Sequence, residues 1–150
     1  MDSLKDLRIR AWVEASGGEA DYLDHLSRSA GPAEWIALSR VFLPRFVEVR
    51  GCVLWDRSYD PANFDLWHRR LEGDAVSVEA MLNQFKLWMY LDIGEDTESR
   101  SNALALAQEI ARAWRLSLGE AFPQKAFDVR ATDTVDGPVV SFTSLPHASC

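Results

Sequence analysis

Three side chains that can take part in acid–base chemistry lie in the middle of the sequence, at Tyr59, Asp60 and His68. A phenol, a carboxylate and an imidazole can exchange protons with a bound molecule when a fold brings them together. The sequence shows neither their convergence nor a shifted pKa, and three common residue types also fall near one another by chance. We therefore predict no catalytic residue, while an unrecognised enzymatic activity stays open as an alternative.

The sequence contains no recognisable metal-binding or nucleotide-binding motif. Asp21 and His25 are spaced to share one helical face, but no third ligand follows at a suitable spacing. The chain contains none of the motifs GxSxG, HExxH, GxxxxGKS, GxxxxGKT, GxGxxG and CxxC. We predict no metal site and no cofactor.

The basic residues in the middle of the chain allow two interpretations. Arg57 and the run His68–Arg70 could hold a carboxylate or a phosphate, since arginine offers a planar fork of donors. Alternatively, they interleave with neighbouring acids, such as Asp56 and Asp65, as a solvated surface that pairs with itself.

Gln84 is the most informative polar residue in the stretch EAMLNQFKLWMYLDIGEDTE, residues 79–98. A predicted helix over 75–92 is apolar on nearly all sides, which is typical of a central, buried helix. Gln84 then falls within the apolar arc, where an unpaired amide costs about 1–3 kcal/mol, so it needs either a structural hydrogen bond or a pocket to face. The predicted pocket residues are Gln84, Asn83 and Trp88, with Arg57 or His68 at the mouth.

The strongest run of charge follows this predicted helix and is acidic. Its spacing is not that of an EF-hand loop, so calcium is not predicted. Asp96 and Glu98 suit the start of the next helix, where the helix dipole favours negative charge. The functional alternative is an exposed acidic loop that attracts a basic protein. The predicted partner-binding residues are Asp92, Glu95, Asp96, Glu98, Tyr59 and Tyr90.

Periodicity and end signals predict the elements that position these residues. Residues 1–44 follow a helical pattern, whereas β-branched and aromatic residues around Arg50-Gly51 predict a hairpin over 45–56. Asp60 before Pro61, and Asp74, mark helix starts within the helical region 60–122. AFDVRAT and VVSFTS alternate as a strand pair over 126–143, and residues 144–150 form a tail.

The fold class that follows is α+β, with residues 1–150 as a single domain. About six helices pack on a small antiparallel sheet of about four strands in two hairpin-like pairs. The predicted central helix, 75–92, covers one face of that sheet. The pattern leaves the strand order open.

Composition limits the classes of partner. The net charge is −7, which argues against a phosphate-binding surface for nucleic acid and favours a basic protein. No apolar run reaches the roughly 18 residues that a membrane span needs, and the first residues do not resemble a signal peptide. We expect a cytoplasmic protein in which Cys52 and Cys150 are free thiols.

Part of the chain resembles a known group of proteins. FVEVRGCVLWDRSYDPANFDLW, then EAMLNQF, a helix bearing a tryptophan and the strand start FPQKAF, is similar to small uncharacterised bacterial proteins with the same order of elements. The resemblance covers residues 35–143. It implies a bacterial, cytosolic, single-domain protein and no particular activity.

Two functional hypotheses result. The first is a non-catalytic protein-binding module, such as a bacterial immunity or antitoxin-like neutraliser or a regulator of a basic protein, because the chain is small, acidic and rich in aromatic anchors. The alternative is a small-ligand binder or unrecognised enzyme with a pocket beside the predicted helix 75–92. A homodimer formed through the aromatic stripe is a further alternative.

Overall fold

The fold, given by a computed structural model, combines helices and strands in one domain. The structure describes residues 14–15, 17 and 21–146, and within them it has five α-helices and five strands. This confirms the α+β class. Residues 1–13, which hold most of the predicted helical segment before Ser16, and Cys150 lie outside the described residues. In chain order the elements are α1 (Tyr22–Ser29), α2 (Pro32–Phe42), β1 (Phe46–Val49), β2 (Cys52–Trp55), α3 (Pro61–Arg70), α4 (Ala75–Leu82), β3 (Gln84–Lys86), α5 (Thr97–Ala121), β4 (Phe127–Thr134) and β5 (Gly137–Ser144).

Aspartate side chains cap the starts of four described helices, with Asp21 at the start of α1 and three others at α3, α4 and α5. Asp60, Asp74 and Asp96 each accept a hydrogen bond from the backbone N–H three residues later, at 2.8, 3.2 and 2.8 Å respectively. These bonds satisfy amide groups that have no partner within the helix. The starts of α3, α4 and α5 are confirmed. No helix in the described part of the chain is long and apolar enough to span a membrane.

The strands form two sheets instead of the single predicted one. The hairpin β1–β2 is a two-stranded sheet, and the other sheet is antiparallel with the order β3-β5-β4. The predicted C-terminal strand pair is confirmed, with Val129 opposite Phe142 and Ala131 opposite Val140. Strand β3 is an element that the sequence did not predict.

The predicted helix 75–92 is wrong beyond Leu82, where α4 ends. Gln84–Lys86 instead extend along β5, with Phe85 opposite Val140 and turned into the core. A 3₁₀ turn over Leu87–Met89 follows. Gln84 is exposed, not buried in an apolar arc, and its Nε2 donates to the carbonyl of Ala80 at 2.9 Å. Pairing with a distant strand has overridden the local helical periodicity.

Helix α5 covers the three-stranded sheet and supplies five of the eleven buried residues of the main core. These residues form a buried stripe of Ala107, Ile110, Ala111, Trp114 and Leu118. The indole of Trp114 is fully buried at the centre of this core. Its ring contacts are Phe46 at 6.5 Å, Trp55 at 5.1 Å, Phe85 at 6.3 Å and Phe142 at 5.9 Å between centroids.

A buried asparagine at the end of α4 joins the two sheets. The Oδ1 atom of Asn83 accepts from the backbone N–H of Trp55 at 3.0 Å. Its Nδ2 donates to the carbonyls of Val53 at 2.8 Å and Phe142 at 3.4 Å. The amide therefore takes the place of a third strand along the open edge of β2.

Glu79, one helical turn earlier, makes the second connection. Its carboxylate accepts from the Val53 N–H at 3.2 Å, the Ser144 N–H at 3.3 Å and the Ser144 hydroxyl at 2.7 Å. Glu79 is as fully buried as Asn83. Together the two side chains satisfy backbone groups of β2 and β5 that no strand reaches.

We expect Asn83→Ala to lower the free energy of unfolding by about 2–4 kcal/mol, because it leaves buried backbone groups of Trp55 and Val53 without partners. Urea unfolding followed by tryptophan fluorescence measures the change. Gln84→Ala, at the next position of the chain, is the control. The Gln84 side chain is exposed, so the expected change in the free energy of unfolding is within about 0.5 kcal/mol. Equal effects of the two substitutions would contradict the role of Asn83.

Candidate functional site

The main candidate site is a cavity of about 710 Å³ between α2, the end of β2 and α5. We call it the arginine-rimmed pocket. Its floor and walls are mostly apolar, and its polar groups come from five residues. The apolar lining includes Val41, Phe42, Trp55, Phe85, Leu106 and Ile110, and the polar lining consists of Arg40, Arg45, Asp56, Arg57 and Tyr90.

Trp114 holds the α2 wall of this pocket in place. Its indole Nε1 donates to the carbonyl of Val41 at 2.7 Å, which satisfies a carbonyl in the last turn of α2. No residue of α2 is fully buried, so this hydrogen bond is a main attachment of the helix. Because the same indole ring contacts Trp55 and Phe85, one side chain supports both the wall and the floor.

The rim is positively charged although the chain is acidic. The guanidinium carbon of Arg57 lies 5.0 Å from the ring centroid of Tyr90 and 5.9 Å from that of Trp55, so it is held by cation–π contacts. Tyr90 in turn lies against Phe85, at 5.6 Å between centroids. Asp56 is the single acidic residue of the lining, against three arginines.

The predicted pocket residues separate in the structure. Arg57 lines the arginine-rimmed pocket, and Tyr90, predicted as a partner-binding residue, lines it too. Gln84 lines a different, shallow groove of about 300 Å³ on the outer face of the three-stranded sheet, beside Thr132 and Ser141. Asn83 is buried in the connection between the sheets and lines neither of these two cavities.

The remaining predicted residues pack against other parts of the core. Trp88 covers Gly137, where an added Cβ would lie 3.2 Å from the indole, so a side chain there would need the ring to move. Tyr59 and His68 both contact the ring of Phe64, at 6.0 and 5.4 Å between centroids. Neither lines the arginine-rimmed pocket.

The predicted acidic loop is a surface segment directly after Tyr90. Asp92, Glu95 and Glu98 are exposed. Asp96 has a structural role, because its carboxylate accepts from the N–H and the hydroxyl of Ser99 at 2.8 and 2.7 Å. Met89, next to this segment, leaves 63% of its surface exposed.

Arg40 and Arg45 are the site residues that sequence reasoning missed. They flank Leu43-Pro44, where α2 ends and β1 begins. Two arginines beside a helix-to-strand turn are a weak signal by themselves. The two arginines become part of a site only because the end of β2 and α5 line the same cavity.

Two further observations limit the chemistry of the described residues. They contain no group of three or more histidine, cysteine or acidic side chains placed to hold a metal ion. Burial, and then the negative charge of Glu79, raise the pKa of the Cys52 thiol, which disfavours the reactive thiolate.

Comparison with known proteins adds no assignment: no protein-family model, no curated protein and no solved structure matches the chain. The function must therefore be argued from the chemistry of the site itself.

Glu79 provides a test of the connection between the sheets. Burial raises the pKa of its carboxyl group, against the opposing effect of its hydrogen bonds to Ser144 and Val53. A raised native pKa means that the native state binds the proton more tightly than the unfolded state. This contribution to stability is complete below the unfolded pKa and is lost as the pH rises through the native pKa.

We expect the free energy of unfolding of the wild type to fall, relative to Glu79→Gln, as the pH rises from the ordinary glutamate range through the raised pKa. Urea unfolding at a series of pH values measures this difference. Glu120→Gln, at an exposed position of α5, should leave the pH dependence as it is. Parallel curves for the wild type and Glu79→Gln would contradict the prediction.

Proposed function

We propose that the protein is a non-catalytic binding protein that holds a small, largely apolar molecule in the arginine-rimmed pocket. The supporting observation is the cavity of about 710 Å³ with a floor of aromatic and branched side chains. Small-ligand pockets in proteins typically measure about 300–1,000 Å³ and combine apolar walls with a few polar groups.

The polar groups of the pocket favour binding over catalysis. Its lining offers the guanidinium groups of three arginines, the carboxylate of Asp56 and the ring of Tyr90. These groups can orient a ligand, and the described residues of the lining include no serine, cysteine, threonine, lysine or histidine, which are common nucleophiles or general bases in covalent catalysis. A cytoplasmic location belongs to the same proposal and is supported by the free, buried thiol of Cys52.

Filling the pocket tests this proposal. We expect Ala37→Trp to weaken binding of a neutral fluorescent probe such as Nile red by at least about tenfold, since the indole would occupy space that the ligand needs. Probe fluorescence during titration of the full chain measures the affinity. Ala62→Trp, at an exposed site of α3 outside this pocket, is the matched control. Unchanged binding by Ala37→Trp would place the probe elsewhere and contradict the proposal.

The second candidate function is binding of a basic protein, as an immunity-like neutraliser or a regulator would do. It is supported by the exposed side chains Met89, Tyr90 and Leu91, which run directly into the exposed acids Asp92 and Glu95. An apolar centre with a charged rim is the usual anatomy of a protein interface. A homodimer is the alternative use of these exposed side chains, and sedimentation at several concentrations distinguishes it.

Charge reversal tests this second candidate. We expect Asp92→Lys combined with Glu95→Lys to abolish capture of a basic partner from the native lysate, and wild-type capture to weaken as salt rises. Mass spectrometry of the bound fraction is the measurement. Asp96 is left intact because it caps α5. Asp133→Lys with Asp136→Lys, two exposed acids of the β4–β5 turn region, is the control. Capture that survives the reversal and high salt would contradict this candidate.

A further inference from the structure

We propose that the ligand of the arginine-rimmed pocket is an amphiphile with a single anionic head group, a carboxylate or a phosphate monoester, bound by Arg40, Arg45 and Arg57. This inference rests on the proposed function and specifies its ligand. The head group lies at the rim, and the apolar part lies on the aromatic floor formed by Trp55 and Phe85.

The charge of the pocket is opposite to that of the chain. The chain carries a net charge of −7, yet the lining of this pocket has three arginines and one aspartate. Long-range repulsion by an acidic protein works against anions, so a local excess of positive charge is needed to retain one. The planar donor fork of arginine matches the geometry of carboxylate and phosphate oxygens.

Two arginines elsewhere in the described part of the chain are held in ion pairs with aspartates, whereas the three arginines of the pocket are not. Arg50 pairs with Asp65 at 2.8 Å, and Arg130 pairs with Asp128 at 2.7 Å. Among the described residues, Arg40, Arg45 and Arg57 form no ion pair. Arg57 is held by the faces of two aromatic rings, which leaves the donors at the edge of its guanidinium group for a ligand.

The fold brings the three arginines together from separate segments. Arg40 belongs to the last turns of α2, Arg45 precedes β1, and Arg57 lies in the 3₁₀ turn Asp56–Ser58 after β2. The backbone N–H of Asp56 donates to the carbonyl of Arg45 at 2.9 Å, which ties the second segment to the third. The indole of Trp114 ties α2 to the same core through the carbonyl of Val41.

The test uses matched ten-carbon ligands and the full chain. Isothermal titration at pH 8 and low salt compares decanoate and decyl phosphate with decanol and decylamine. We expect at least one of the two anions to bind about tenfold tighter than decanol, because each gains a charged hydrogen bond, and decylamine to bind most weakly. The two anions distinguish a carboxylate ligand from a phosphate ligand. Shortening the preferred anion by one methylene should weaken it about fourfold.

Single substitutions test whether the arginines of the pocket cause the preference for an anionic ligand. We expect Arg57→Gln to weaken the preferred anion about tenfold and to change decanol by less than about twofold. Arg70→Gln is the matched control, since Arg70 stacks on Trp67 at 5.5 Å as Arg57 stacks on Tyr90, but lies outside the pocket. If Arg57→Gln does not fold, the affinities for the preferred anion and for decanol are compared in Arg40→Gln and Arg45→Gln instead. Both of these positions are exposed.

The outcomes separate this inference from the function on which it rests. Decanol or decylamine binding as tightly as both anions would overturn the anionic head group and leave a pocket for an apolar molecule. Equal loss of anion and decanol in Arg57→Gln would also overturn it. Absence of binding by all four ligands and by the neutral probe would overturn both the inference and the proposed function.

Discussion

Two buried polar side chains of one short helix hold the two sheets of this protein together. Strand β2 has only β1 beside it, so its other edge would leave backbone N–H and carbonyl groups in the interior without partners. Unpaired buried polar groups are costly, and Glu79 and Asn83 remove that cost by bonding to Val53 and Trp55. Because the same two side chains also reach Ser144 and Phe142, they fix the position of β2 relative to β5.

The polar connection continues directly into the pocket through Trp55. The N–H of Trp55 bonds to Asn83, and its ring contacts the indole of Trp114 at 5.1 Å between centroids. Trp55 therefore belongs to both the connection between the sheets and the aromatic core under the cavity. Arg57 follows two residues later and rests against the Trp55 ring. The position of the rim is thus a consequence of how the end of β2 is held.

Local signals predicted much of the fold, and long-range pairing explains the main error. The caps Asp60, Asp74 and Asp96 act within one turn, so the sequence alone identifies them. Strand β3 depends on the edge of β5, more than fifty positions away, and residues 83–91 fit a helical pattern equally well without it. The sequence also pointed to Arg57 and Tyr90, but for separate roles, and only the fold brings them 5.0 Å apart.

The pocket and the acidic segment are neighbouring surfaces. Tyr90 and Leu91 line the pocket, and Asp92 is the next residue along the chain. If both proposed functions hold, a ligand bound to Arg57 contacts the guanidinium group that stacks on Tyr90, a side chain that a protein partner would also contact. Any resulting coupling is reciprocal, so the partner would alter ligand affinity by the same factor as the ligand alters partner affinity. Tyr90, which lies in both surfaces, is the residue through which such a coupling would act.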